Sequence, residues 1–171
     1  WFVFPYVFWF LFVAGMLAWT ALRDVPAFRR MMKFIILTYS FALLTYWLFP
    51  NCQHLRPVLS GNDVLTRLVS MLYRSDTNTN VCPSLHVVGS MAVCFAAWNC
   101  RRLRKPWMQG AIWAFAFLVA VSTVFVKQHS ALDLILAVPF SLVVYPVVYR
   151  LIFRRSGVES PVRRSASEPA T

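Results

Sequence analysis

Five long apolar runs, each bounded by polar or charged residues, organise this chain, and they predict helices over roughly 1–22, 32–50, 84–100, 107–127 and 130–153. The first, Trp1 to Leu22, carries no charge. It is too long for a signal-peptide core and long enough to cross a hydrocarbon layer, which takes about 20 helical residues. Every backbone polar group in lipid needs an internal partner, so helices rather than open strands are expected. The reading is an all-α fold, a polytopic membrane helical bundle with five transmembrane helices in this chain. No internal repeat stands out. Residues 1–155 form one membrane-embedded domain. The Ser-, Pro- and charge-rich stretch 156–171 is expected to be a disordered cytoplasmic tail. The chain starts at Trp1 and enters an apolar run at once, so its natural product is expected to extend further at the N-terminus.

Composition strengthens the membrane reading. Of 171 residues, 59% are hydrophobic, against nearer half in soluble domains. The net charge of +11 raises the question of nucleic acid, but the basic residues cluster between apolar runs rather than along one face. Nucleic acid is therefore excluded as a partner, and the bilayer takes its place. Arg23, Arg29, Arg30 and Lys33 follow the first run, and Arg101, Arg102, Arg104 and Lys105 follow the third. Arg150, Arg154, Arg155, Arg163 and Arg164 close the chain. With five alternating helices these three groups share one side, which the positive-inside rule makes cytoplasmic. The other cations, Arg56, Arg67, Arg74 and Lys127, fall on the extracytoplasmic side. Short loops and the absence of internal targeting segments point to a bacterial inner membrane.

Two short patterns lie on that extracytoplasmic side. Pro83-Ser84-Leu85-His86 opens the third helix, and Ser122, His129 and Asp133 are spaced S-x6-H-x3-D. Ionisable groups at a membrane edge are costly unless paired or functional. His129 and Asp133 are four apart and share a face on a helix; a carboxylate beside imidazole fixes its tautomer and leaves the other nitrogen free to attack. A helix-start pair that satisfies only itself is the alternative. Ser84 suits an N-cap, and the helix N-terminus suits a phosphate, with His86 able to protonate a leaving alkoxide. An ordinary cap beside an interfacial histidine is the alternative there. Arg56 suits bidentate phosphate contact, and Lys127 can snorkel or reach a phosphate. Ser122 lies about two turns before His129 and shares its face if the helix continues. There is no carboxylate cluster for a metal, no zinc-ligand spacing among the four cysteines, and no cofactor is called for. Cys52 and Cys82 share one long loop, and form either a disulfide in an oxidising compartment or two unpaired thiols.

The order R-P … P-S-x-H … S-x6-H-x3-D resembles the type 2 phosphatidic acid phosphatase superfamily over roughly residues 1–155. That family's motifs read K-x6-R-P, P-S-G-H and S-R-x5-H-x3-D. Arg56-Pro57 matches the end of the first, Pro83 to His86 the second with Leu85 in place of glycine, and Ser122, His129 and Asp133 the third. The first motif's lysine falls at Phe49 and the third's arginine at Thr123, so two usual phosphate-binding cations are absent. The P-S-L-H and Lys127-Gln128-His129 runs, with Asp76-Thr77-Asn78-Thr79-Asn80, are similar to the inositol phosphorylceramide synthase-like branch. The family has six membrane helices, and counting back from the motifs this chain lacks the first. The resemblance implies metal-independent lipid phosphate hydrolysis through a phosphohistidine. His129 would attack, Asp133 orient it, His86 act as acid and base, and Arg56, Ser84, Lys127 and Ser122 bind the phosphoryl group of a lipid phosphate substrate. Two other functions stay open: a lipid phosphotransferase moving a head-group phosphate to an alcohol, and a non-catalytic membrane transport or assembly protein.

Overall fold

One residue, Asp24, both ends the first helix and starts the second. In the computed structural model, which describes residues 1–152, α1 (Val3–Arg23) and α2 (Val25–Leu48) form a tight hairpin around it. The Asp24 carboxylate accepts from the Ala27 N–H at 3.0 Å, and Pro26 sits in the first turn, where it has no N–H to satisfy. Arg29, Arg30 and Lys33, expected in the connection after the first run, therefore lie within α2. Charge hid a helix start that the Asp cap and the proline dictate.

A short amphipathic helix, α3 (Val64–Ser75), interrupts the long connection that follows. It was not expected, because its apolar positions alternate with Arg67, Ser70 and Arg74 instead of forming a run. Asp63 caps it, accepting from the Thr66 N–H at 3.1 Å. The remaining helices are α4 (Leu85–Asn99), α5 (Pro106–Phe125) and α6 (Ala131–Pro146), with a 3-10 turn at Arg101–Leu103 and a wider helical turn, Val147–Ile152, continuing α6. Arg154, Arg155 and the expected tail 156–171, with Arg163 and Arg164, lie outside the described residues.

The fold is an all-α membrane bundle. Four helices are long and apolar enough to cross a membrane: α1, α2, α5, and α6 with its continuation to Leu151. They turn large apolar side chains outward, among them Leu11, Ile36, Phe117, Ile135 and Val143. The fifth predicted span, α4, is different. Its 15 residues rise only about 22 Å, short of a hydrocarbon core of about 30 Å, and every residue from His86 to Ala97 is buried. The other four helices pack around it. Small residues on α4 (Gly89, Ser90, Ala92, Ala96) let them approach closely, as membrane helix packing requires.

The two ends of the bundle are distinct. At one, the Cys100 thiol donates to the Asp24 carboxylate at 3.2 Å, which brings the two basic turns together. At the other, the Phe2 and Phe125 rings stack at 4.3 Å, joining the start of α1 to the end of α5. The connection containing α3 and the turn between α5 and α6 also lie at this second end, away from the basic turns.

Gly89 marks the tightest approach. A Cβ there would meet the Trp9 ring at 2.7 Å and the Tyr39 hydroxyl at 3.0 Å. Overpacking of this kind costs about 1–3 kcal/mol. Gly89→Ala is expected to lower the thermal midpoint of the detergent-solubilised protein, and adding Trp9→Phe to restore part of the loss. An unchanged midpoint in the single variant would show that the contact is loose.

Candidate active site

Two turns meet at the non-basic end. The first is the start of α4, where Ser84 occupies the N-cap and its carbonyl accepts from Val88 N–H at 3.1 Å. Its hydroxyl makes no cap bond and is buried without a partner. The second is the Val126–Ser130 turn between α5 and α6. The Ser84 N–H donates to the Asp133 carbonyl at 3.4 Å, so the two turns are joined through their backbones.

The second turn is built by two end motifs. α5 closes with Lys127 N–H on Val124 O at 3.0 Å and Gln128 N–H on Thr123 O at 2.9 Å, the paired bonds of a Schellman motif. That motif puts Lys127 in the left-handed region, at φ 60°, a position usually held by glycine. α6 then opens on a capping box. The Ser130 hydroxyl accepts from Asp133 N–H at 3.4 Å, and the Asp133 carboxylate accepts from Ser130 N–H at 2.7 Å.

His129 lies between the two motifs, outside both helices, so α5 does not continue to carry it. The Asp133 cap nevertheless brings the pair together: His129 Nδ1 is 3.5 Å from the carboxylate, an ion-pair distance longer than a hydrogen bond. The His86 ring meets the His129 ring edge-on, with centroids 5.6 Å apart. Both histidines border a cavity of about 100 Å³ that is also lined by Tyr46, Asp76, Thr77, Thr79, Asn80, Val81, Leu85 and Gln128. It holds a group of a few heavy atoms and is well below the 300–1,000 Å³, roughly, of drug-sized pockets. Among its lining residues, His86 Nε2 and Gln128 Nε2 are buried without a partner, and His129 Nδ1 has only the long contact with Asp133; the unpartnered Ser84 hydroxyl precedes the lining residue Leu85.

The other sequence candidates stand elsewhere. Ser122 is buried within α5, its hydroxyl donating to Val119 O at 2.6 Å. Lys127 is exposed and does not line the cavity. Arg56 sits behind the wall. Its guanidinium donates to Tyr73 O at 3.1 Å, to Asp76 O at 2.8 Å and to the Gln128 side chain, and it stacks on the Tyr73 ring at 4.7 Å. It thereby ties the end of α3 to a residue that faces the cavity. Cys52 and Cys82 are not joined: both are free thiols, and Cys52 forms a backbone bridge with Thr79 instead. Burial, and then the Asp133 charge, push the Cys82 thiol up from its ordinary pKa. Among the described residues no group of His, Cys, Asp and Glu is arranged to hold a metal ion.

Residues unread in the sequence complete the site. Tyr6 and Trp9 of α1 pack on the His86 ring at 4.4 Å each. The Tyr6 hydroxyl donates to the Asp76 carboxylate, and Tyr46 donates to Pro83 O at 2.6 Å. The buried Gln53 donates to Lys127 O at 2.8 Å and Gln128 O at 3.0 Å, clamping the turn from the loop side. Tyr6 and Trp9 were invisible because they lie inside an apolar run, where an aromatic reads as lipid-facing. Asp76 and Gln128 fall in the stretches 76–80 and 127–129 that the sequence singled out, but without a role of their own.

Comparison with protein-family models, with curated proteins and with solved structures finds no match to this chain.

A non-glycine residue in the left-handed region costs on the order of 1 kcal/mol. Lys127→Gly is therefore expected to raise thermal stability slightly; a fall would show that the lysine side chain itself supports the turn. Removing Arg56 leaves two backbone carbonyls and Gln128 without their charged donor, a loss of about 1.5–3 kcal/mol for such a bond. Arg56→Ala should speed amide exchange over residues 72–80, with Arg56→Lys recovering only part of the protection because it lacks the fork. Equal exchange in all three proteins would remove Arg56 from this role.

Proposed function

We propose that this protein is a membrane phosphohydrolase that breaks a phosphate ester of a lipid through a phosphohistidine on His129, with its site on the extracytoplasmic face. The observation that carries the reading is that polar atoms of His86 and Gln128, which line one small cavity, are buried without partners beside the His129–Asp133 pair, with the unpartnered Ser84 hydroxyl at the start of the same helix as His86. Buried polar groups are normally hydrogen-bonded, and an unpaired one costs about 1–3 kcal/mol, so their coincidence favours a polar ligand. The side assignment follows from the basic turns at the opposite end of the bundle.

The geometry supports the following roles. Asp133 at Nδ1 keeps the proton on that nitrogen, and the lone pair on His129 Nε2 attacks phosphorus. A P–N bond forms as the P–O bond to the lipid alkoxide breaks, and that oxygen takes a proton from His86. Water then gives its proton to His86, attacks phosphorus and breaks the P–N bond, releasing phosphate and neutral His129. Ser84 Oγ and the first N–H groups of α4, at the helix start that carries His86, suit the charge spread over the phosphoryl oxygens.

A second reading has its own support. One cavity wall is rich in hydroxyl, amide and carboxylate groups from Asp76, Thr77, Thr79 and Asn80, and such a wall suits a polyol acceptor in place of water. The first half-reaction is unchanged. The phosphoryl group, with or without an attached lipid, then passes to an alcohol.

Purified protein given a lipid substrate carrying labelled phosphorus should form an acid-labile, base-stable protein adduct that His129→Ala lacks. His86→Ala should slow turnover by about 10²–10⁴-fold, the usual worth of general acid–base catalysis. Full activity in His129→Ala would sink the mechanism, and unchanged properties across alanine variants of His86, His129 and Asp133 would favour a transport or assembly role. Label recovered in an inositol or ceramide product rather than in phosphate would select the transferase.

A further inference from the structure

Helix α3 belongs neither to the bundle core nor to the cavity wall. None of its residues is buried, yet its faces are sharply different. Tyr73 faces the body of the protein, donating its hydroxyl to Val126 O at 2.9 Å with the Arg56 guanidinium on its ring. On the opposite face Val64, Leu68 and Met71 follow at helical spacing and are 73%, 38% and 64% exposed. Arg67 and Arg74 edge this stripe. Both are exposed, and neither side chain makes a hydrogen bond or ion pair among the described residues. The helix itself contains no acidic residue.

Its level in the bundle is fixed by its last turn. Asp76, just past the end of α3, accepts from Tyr6 in the first turn of α1, and Tyr73 reaches the end of α5. Trp1 and Trp47, which are 86% and 78% exposed, lie near the same end, as aromatic residues do at a membrane–water boundary. An apolar stripe edged by arginines at that level is the pattern of a helix lying in the interface plane. Guanidinium groups suit phosphate oxygens. A second copy of the chain on the same stripe would set arginine pairs against each other.

We propose that α3 lies on the membrane surface as an anionic-lipid docking helix, with Val64, Leu68 and Met71 in the headgroup–acyl boundary and Arg67 and Arg74 on lipid phosphates. This holds the end of α3, and with it Asp76 and the Arg56 ties, in place at the mouth of the cavity. It stands independently of the reaction assigned to that cavity.

The test uses the full chain in vesicles of phosphatidylcholine alone and of phosphatidylcholine mixed with phosphatidylglycerol. A spin label is placed at Leu68→Cys with the exposed native thiol removed by Cys52→Ser, or at Met71→Cys where the first variant does not fold. In the mixed vesicles the label should collide with oxygen and be shielded from a water-soluble nickel chelate. Adding Arg67→Gln and Arg74→Gln should raise nickel collisions several-fold in those vesicles. A label equally open to nickel in both vesicle types overturns the proposal. So does shielding that is indifferent to both anionic lipid and the arginines. Shielding accompanied by dipolar broadening that vanishes on dilution with unlabelled protein would assign the stripe to a second copy instead.

Discussion

A helix of 15 residues cannot reach across a bilayer, so α4 is stable in the membrane because protein, not lipid, surrounds it. That enclosure governs the rest of the non-basic end. Because α4 stops short, its polar N-terminus lies among protein groups rather than in the headgroup layer. Lipid supplies no hydrogen-bond partners, so the segment leading into α4 is satisfied by neighbouring protein. Asn51 accepts from Val81 N–H at 2.8 Å and Cys82 N–H at 3.1 Å, Tyr46 bonds Pro83 O, and Asp133 O takes the Ser84 N–H. The cavity is the space these ties leave between α4 and the α5–α6 turn.

Enclosure also explains the aromatic lid. His86 cannot face lipid as a bare imidazole without cost, and Tyr6 and Trp9 cover its ring. Trp9 in turn fits because Gly89, one turn along α4, has no side chain. Tyr6 extends the contact outward to Asp76 at the end of α3. A chain of contacts thus runs from the buried helix to the surface helix, each link a named pair.

Legibility in the sequence followed the physics of each element. The long apolar runs were readable because a lipid-spanning helix needs nothing but length and apolarity, and α1, α5 and α6 lie close to their expected bounds. The start of α2 was hidden by its own charges, although the Asp24-x-Pro26 signal was there to read. α3 was hidden because a helix half in water shows periodicity rather than a run. The pairing of His129 with Asp133 was legible from spacing alone, though for a partly different reason: a capping box holds them together, not a shared helical face. Arg56, Lys127 and Ser122 were legible as residue types only. What they touch depends on a loop fold that no local pattern encodes.

Local structure accounts for several of the residues that drew attention, and that sharpens the reading of those it leaves. A capping box needs a side-chain acceptor at its third position, and Asp133 supplies one whether or not chemistry occurs nearby. Arg56 has three acceptors and an aromatic ring, so its place in the fold is sufficient reason for it. Lys127 occupies a helix-end position that glycine would fill with less strain, so its side chain is the part the turn does not require. Ser122 is satisfied within its own helix. No such account covers Ser84, His86 and His129. Ser84 Oγ and His86 Nε2 are buried and unpartnered, where an apolar residue in each place would remove about 1–3 kcal/mol of desolvation cost, and His129 Nδ1 has only its 3.5 Å contact with Asp133. His86 and His129 border one cavity beside a carboxylate, with the unpaired Ser84 hydroxyl at the same helix start, and packing alone gives no reason for this.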